Sequence, residues 1–158
     1  MKKAIDIDLK EGAGIKTAVD IVIFNKKGQV LFGERLAVSG NNCWGFPGGH
    51  QKTGEKIRET AGREIKEELG NEVKVQLTDE IIAVRENNIP PYFIPHITVM
   101  VKGIYLGGKI KVNEPDRCKN WQWFDLDSLP SPIFSGEEEV LINFQKGKVL
   151  VVTDWHSK

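Results

Sequence analysis

The chain has 158 residues, 40% apolar and 28% charged, the size and balance of one globular domain with its own core. Its 22 basic residues offset 22 acidic ones, so no global positive field exists to hold DNA or RNA. No run approaches the roughly 18 apolar residues of a membrane helix, and no apolar segment follows the N-terminal lysines as a secretory signal would require.

Residues 1–14 form a polar arm interrupted by Asp6 and Asp8. Residues 15–24, IKTAVDIVIF, are rich in β-branched side chains and predict a strand buried on both faces for most of its length. A turn at 25–28 returns the chain as a second strand over 29–34. A polar loop follows at 37–42, and the segment WGFPGG at 44–49 carries too much Gly and Pro for a helix. The clearest helix covers 55–69, free of proline, with Ile57, Ala61, Ile65 and Leu69 as its buried stripe. Thr53 is its expected N-cap and Gly70 its C-cap. Strands are predicted over 73–77, 80–85 and 94–105, with a loop at 88–91. A short strand over 120–124 places Trp121 and Trp123 on one face, toward the core. A second helix covers 135–145, and 148–153 is either a last strand or a packed tail. Cys43 and Cys118 stand in no metal-binding spacing and are expected to be reduced, as in a cytoplasmic protein. No repeat or linker interrupts the chain, so 1–158 is expected to be a single domain.

Within the first helix, Glu64, Glu67 and Glu68 stand at i, i+3 and i+4 and share one face. Adjacent carboxylates repel one another. A hard divalent ion gives them a use, since Mg²⁺ takes oxygen ligands and bridges protein carboxylates to phosphates. The ordinary alternative is a solvated acidic face. Glycines at 48 and 49 allow backbone to come close to an ion or a phosphate.

The surrounding register separates these readings. Gly49 is followed by five residues, Glu55, seven residues, Arg63-Glu64-Ile65, one residue, Glu67-Glu68, one residue and Gly70. This resembles the Nudix box, G-x5-E-x7-R-E-U-x-E-E-x-G-U, in which U is a bulky aliphatic residue. Every fixed letter matches over 49–71, and the last U is replaced by Asn71. The resemblance implies a Nudix α/β/α sandwich, an α/β fold whose mixed sheet is flanked by the box helix and a C-terminal helix. It implies Mg²⁺, with Mn²⁺ as a substitute, held by Glu64, Glu67 and Glu68 with the carbonyl of Gly48 or Gly49. Glu64 or Glu67 would be the catalytic group that activates water. Gly49, Glu55, Arg63 and Gly70 would frame the site, with Arg63 and Glu55 joined by a salt bridge.

Similarity extends over 15–146. Residues 29–35 and 44–50, the stretch Asn113–Cys118, Trp121-Gln-Trp123-Phe and Leu129-Pro130 look like the MutT-type branch. That branch cleaves nucleoside triphosphates, some of them modified, to a nucleoside monophosphate and pyrophosphate, and its members are often homodimers. The signatures of two other branches fit less well. Arg85 stands where ADP-ribose hydrolases tend to carry Pro, and Tyr92 lies late for dinucleoside-polyphosphate hydrolases. Candidate substrate contacts are Arg35, to pair with phosphate, His50, beside the glycines, and Phe134, to stack on a base. Each has an ordinary alternative, as surface Arg, surface His and core Phe. Glu114 and Asp116 are read as a solvated turn able to offer a further acid, and His96 as a core histidine. Two rival functions remain open. One is hydrolysis of nucleotide sugars, ADP-ribose or capped RNA, and the other is a non-catalytic nucleotide sensor.

Overall fold

The computed structural model describes residues 15–37, 41–87 and 96–152. The polar arm, the 88–91 loop, the start of the 94–105 strand and Thr153 lie outside them. Ten elements follow in order: β1 (Lys16–Phe24), β2 (Val30–Arg35), β3 (Trp44–Gly45), β4 (Gly48–His50), α1 (Ile57–Leu69), β5 (Lys74–Asn87), β6 (His96–Gly107), β7 (Cys118–Phe124), α2 (Glu137–Gln145) and β8 (Leu150–Val152). The sheet runs β3-β2-β1-β6-β5-β8, with β4 paired to β1 and β7 to β2. It is mixed: β1 with β6 and β5 with β8 are parallel, and the other pairs are antiparallel.

Strand alternation builds two cores. Val19, Ile21 and Ile23 of β1 turn to α1, where Ala61, Ile65 and Leu69 close the layer. Val22 and Phe24 turn the other way, to Phe32, Met100 and the α2 residues Val140 and Leu141. The double-sided burial expected for most of 15–24 follows from this placement between two helices, while Ile15 and Lys16 at its start are exposed. Trp121 and Trp123 pack against the α1-side core, as expected.

Three local expectations are corrected. Helix α1 begins at Ile57, with Lys56 as N-cap, and Thr53 does not cap it. The Glu59 carboxylate accepts the Lys56 N–H at 2.8 Å, while Glu55 is spent on the Lys52 N–H at 2.9 Å and on Arg63. The two strands predicted over 73–85 are one strand, β5, whose bulges make the sequence read as two. His96 is half-buried, and its ring lies 5.0 Å from that of His50.

The C-terminus of α1 ends as predicted at Gly70, in the left-handed region at φ 92°. The last helical carbonyls find partners in the following loop: Glu67 O takes Asn113 Nδ2, Glu68 O takes Asn113 N and Leu69 O takes Lys111 N. Asn71 is exposed, so the polar departure from the box leaves no hole in the core.

Candidate active site

The site begins where β4 is stitched to β1. Val19 pairs with Gly49 and Asp20 with Gly48, and α1 lies across this short strand. Contact is too close for any side chain. A Cβ at Gly49 would stand 2.4 Å from Glu64 Oε1, and one at Gly48 would stand 2.4 Å from Asp20 Oδ1 and from the Val19 carbonyl. The Gly48 N–H donates to Glu68 Oε2 at 2.9 Å. Glu64 and Glu68 are thereby drawn against the glycine strand.

Arg63 organises the outer half. Its Nε and Nη2 bind the two Glu55 oxygens at 2.7 and 3.0 Å, a bidentate pair. Nη1 donates to Glu64 at 2.5 Å and to Glu67 at 2.8 Å, and Nη2 also reaches the His50 carbonyl at 2.9 Å. The Arg63 hydrogen bonds, aided by the Lys52 N–H, hold the Glu55 carboxyl down to about 2. Glu67 is more exposed. Burial pushes its pKa up, but Arg63 and Lys52 outweigh it and hold the group below its ordinary value.

The inner carboxylates behave differently. Burial pushes Glu68 up to about 8, against the Gly48 N–H, with Glu64, Glu114 and Asp20 adding repulsion. Burial also raises Glu64, opposed by Arg63. Asp20 rises to about 7 through burial, although Arg35 and Arg85 pull it down. Crowded, poorly solvated carboxylates of this kind mark a candidate functional site, where either protons or a cation would relieve their repulsion.

A cleft of about 650 Å³ opens beside them. It brings Gly48, Gly49, His50 and Glu68 together with Arg35 and Phe134. Arg35 leaves the end of β2 with its guanidinium 4.4 Å from the Phe134 ring centroid. Phe134 is fixed there because its N–H binds the Trp44 carbonyl at 2.8 Å. His50 is exposed at the end of β4, and burial, His96, Lys16 and Arg117 lower its pKa. Glu67 lies on the outer side of α1, beside Lys52, and does not line this cleft.

Residues that the sequence did not mark as contacts also line it: Asp20, Arg85, Thr98 and Glu137. Asp20 carried a signal, as a charge inside the apolar run 15–24. Arg85 and Glu137 carried none beyond membership of a strand and a helix.

A NUDIX domain model matches residues 14–144, most of the chain. The chain belongs to the Nudix family. It is a Nudix hydrolase, acting on phosphoanhydrides. Similar solved structures agree in fold. A MutT Nudix hydrolase from Burkholderia pseudomallei is 26% identical at a TM-score of 0.72, covering 82% of this chain and 97% of its own. A UDP-X diphosphatase is 20% identical at 0.68, with 92% and 72% covered. An ADP-ribose pyrophosphatase from Streptococcus suis is 19% identical at 0.64, with 87% and 98% covered. The mixed sheet between two helices is thus the Nudix sandwich expected from the box. Among the described residues, no helix of this Nudix domain is long and apolar enough to cross a membrane.

Nudix hydrolases generally use divalent ions, and the donors here suit one. Glu64 lies against Gly49 and Glu68 accepts from the Gly48 N–H, so two carboxylates stand at the glycine strand, oxygen donors of the kind Mg²⁺ prefers. Among the described residues, no three acidic, His or Cys side chains already converge as an ion cage. Arg63 engages Glu64 and Glu67 instead, so the cluster would have to rearrange around an ion.

Proposed function

We propose that this Nudix hydrolase cleaves a nucleoside triphosphate, or a base-modified form of one, to the monophosphate and pyrophosphate. One observation carries the reading. A single cleft joins the α1 carboxylate Glu68 and the glycine strand to a cation, Arg35, and an aromatic face, Phe134. These are partners for a metal-bound phosphate chain, a further phosphate and a base.

In this reading Glu64, Glu67, Glu68 and the carbonyls of Gly48 and Gly49 hold Mg²⁺ or Mn²⁺. The bound ion neutralises phosphate charge and makes water a better nucleophile. Water oxygen bonds to a phosphorus of the anhydride as a carboxylate base takes one of its protons, the bridging P–O bond breaks and pyrophosphate leaves with that bond's electron pair. Of the two candidate bases, we favour Glu64, which presses on the glycine strand; Arg63 engages both, but Glu67 is also bound by Lys52 on the outer side of α1. Arg63 and Glu55 brace the loop, Gly70 ends the helix and His50 borders the phosphate site.

A substrate panel tests the proposal. With Mg²⁺, dNTPs and modified dNTPs should release pyrophosphate at rates well above those for ADP-ribose, nucleotide sugars or capped RNA. The UDP-X diphosphatase and the ADP-ribose pyrophosphatase share this fold, so those substrates are the informative competitors. Turnover of ADP-ribose or a sugar nucleotide alone would overturn the substrate assignment. Nucleotide binding without any turnover would favour a sensor. Light scattering of the same sample reports whether the chain forms a homodimer.

The pKa shifts supply a second expected result. Asp20 and Glu68 bind protons more tightly folded than unfolded, their pKa values rising from 3.8 and 4.5 to about 7 and about 8. Their contribution to stability is therefore complete below about pH 4 and drains as pH climbs toward 8. Glu55 acts oppositely, supporting the fold above pH 4.5 and losing that support only as pH falls toward 2. In EDTA, the Tm should fall between pH 5 and pH 8, and Mg²⁺ should restore it at pH 8. A Tm indifferent to Mg²⁺ at pH 8 would contradict the ion-binding role.

A further inference from the structure

On the α2 face of the sheet the same cleft is lined by Arg85 and Glu137, which the hydrolytic reading does not use. Both are nearly sealed from solvent, at 8% and 2% exposure. Glu137 is held by the Phe46 N–H, which donates to Oε2 at 2.9 Å. Burial, reinforced by Asp20, pushes its pKa far up, against the pull of Arg35 and Arg85. Arg85 donates from Nη1 to the Ser135 carbonyl at 2.6 Å, but its Nε–H is buried with no acceptor. A buried donor without a partner is costly, and native proteins rarely leave one without use.

The fold takes trouble to put Arg85 there. In β5, Val75 and Leu77 face the α1 core. Uninterrupted alternation would send residue 85 to that same face. Leu77 pairs with Gly103 and Ala83 with Met100, so β5 takes six steps where β6 takes three, and the odd excess of three flips the parity. Ala83 then packs toward α2 and Arg85 emerges in the cleft. Gly136 makes room for it: a Cβ at that position would lie 2.0 Å from Arg85 Nη2.

We infer that Glu137 and Arg85 read the edge of the substrate base and select an amino-oxo ring. Glu137 accepts from an exocyclic amine, and Arg85 Nε–H donates to a ring carbonyl oxygen. Guanine and cytosine carry both groups, hypoxanthine and uracil lack the amine, and adenine lacks the carbonyl. Phe134, on the same cleft, offers a face for the ring. The inference rests on the cleft accepting a nucleotide, and it does not require that the nucleotide be hydrolysed.

The test is calorimetric binding of GMP, IMP, CMP, UMP and AMP to the full chain with Mg²⁺. A site built around a polar group rejects the ligand that lacks it, so GMP should bind at least about 10-fold more tightly than IMP, or CMP than UMP. The pair that shows the gap names the base. Glu137→Leu, which leaves no acceptor for the amine, should shrink that gap to less than about threefold, and Arg85→Met should weaken the preferred nucleotide more than it weakens AMP. Both wild-type pairs within about twofold, or a folded Glu137→Leu protein that keeps the full gap, would overturn the inference. The wild-type comparison decides even if a variant fails to fold. Turnover of triphosphates without base preference would defeat this inference alone, whereas base preference without turnover would defeat the hydrolytic assignment alone.

Discussion

With Glu68 replaced by Gln, Mg²⁺-dependent hydrolysis should fall by about a thousandfold in kcat, the scale of losing one preorganised electrostatic contact in a catalytic site. The expectation separates charge from shape. Gln keeps an oxygen for the Gly48 N–H that Glu68 accepts at 2.9 Å, so the glycine strand stays anchored. What disappears is a carboxylate that burial makes costly to ionise, with a pKa near 8 without an ion. In EDTA at pH 8 the variant should therefore melt above the wild type, because the folded protein no longer carries that buried charge. Added Mg²⁺ should raise the wild-type Tm more than the variant's. Turnover within tenfold of wild type, or equal stabilisation by Mg²⁺, would remove Glu68 from the ion site.

The second large effect belongs to a residue with no side chain. Gly49→Ala places a Cβ 2.4 Å from Glu64 Oε1 and 2.6 Å from its Cδ, well inside contact distance. The carboxylate cannot yield freely, because Arg63 Nη1 holds it at 2.5 Å. Displacing a catalytic group by about 1 Å costs on the order of 100-fold in rate, and the loss should appear in kcat more than in KM. Gly62→Ala is the matched comparison. It lies on α1, the helix of Glu64, with nothing within 4 Å of its added Cβ, so activity should hold while helix propensity adds about 0.5–1 kcal/mol of stability. Equal activity in both variants would show that the approach of Glu64 to Gly49 does not matter for chemistry.

Much of the fold was legible because its signals are periodic. The strand at 15–24, the α1 stripe and the end of α1 at Gly70 all emerged close to where local pattern placed them. The failures share a cause. Whether Thr53 or Lys56 caps α1 depended on Glu55 being claimed by Arg63 and the Lys52 N–H. Whether 73–85 was one strand or two depended on bulges that only pairing with β6 reveals. Neither can be read from a single segment.

The site divides along the same line. The sequence by itself determined the box: carboxylates at i, i+3 and i+4, the spacing from Gly49 to Glu55 and Arg63, and hence the family and its phosphoanhydride chemistry. Those facts are local, since helical periodicity alone puts Glu64, Glu67 and Glu68 on one face. Tertiary structure alone decided that Glu68 turns into the cleft while Glu67 stays beside Lys52. It also decided that Asp20, Arg85 and Glu137, separated by up to 117 positions along the chain, line one cavity. That grouping arises from strand register, from the bulges of β5 and from the docking of α2, which are relations between segments that no one of them encodes.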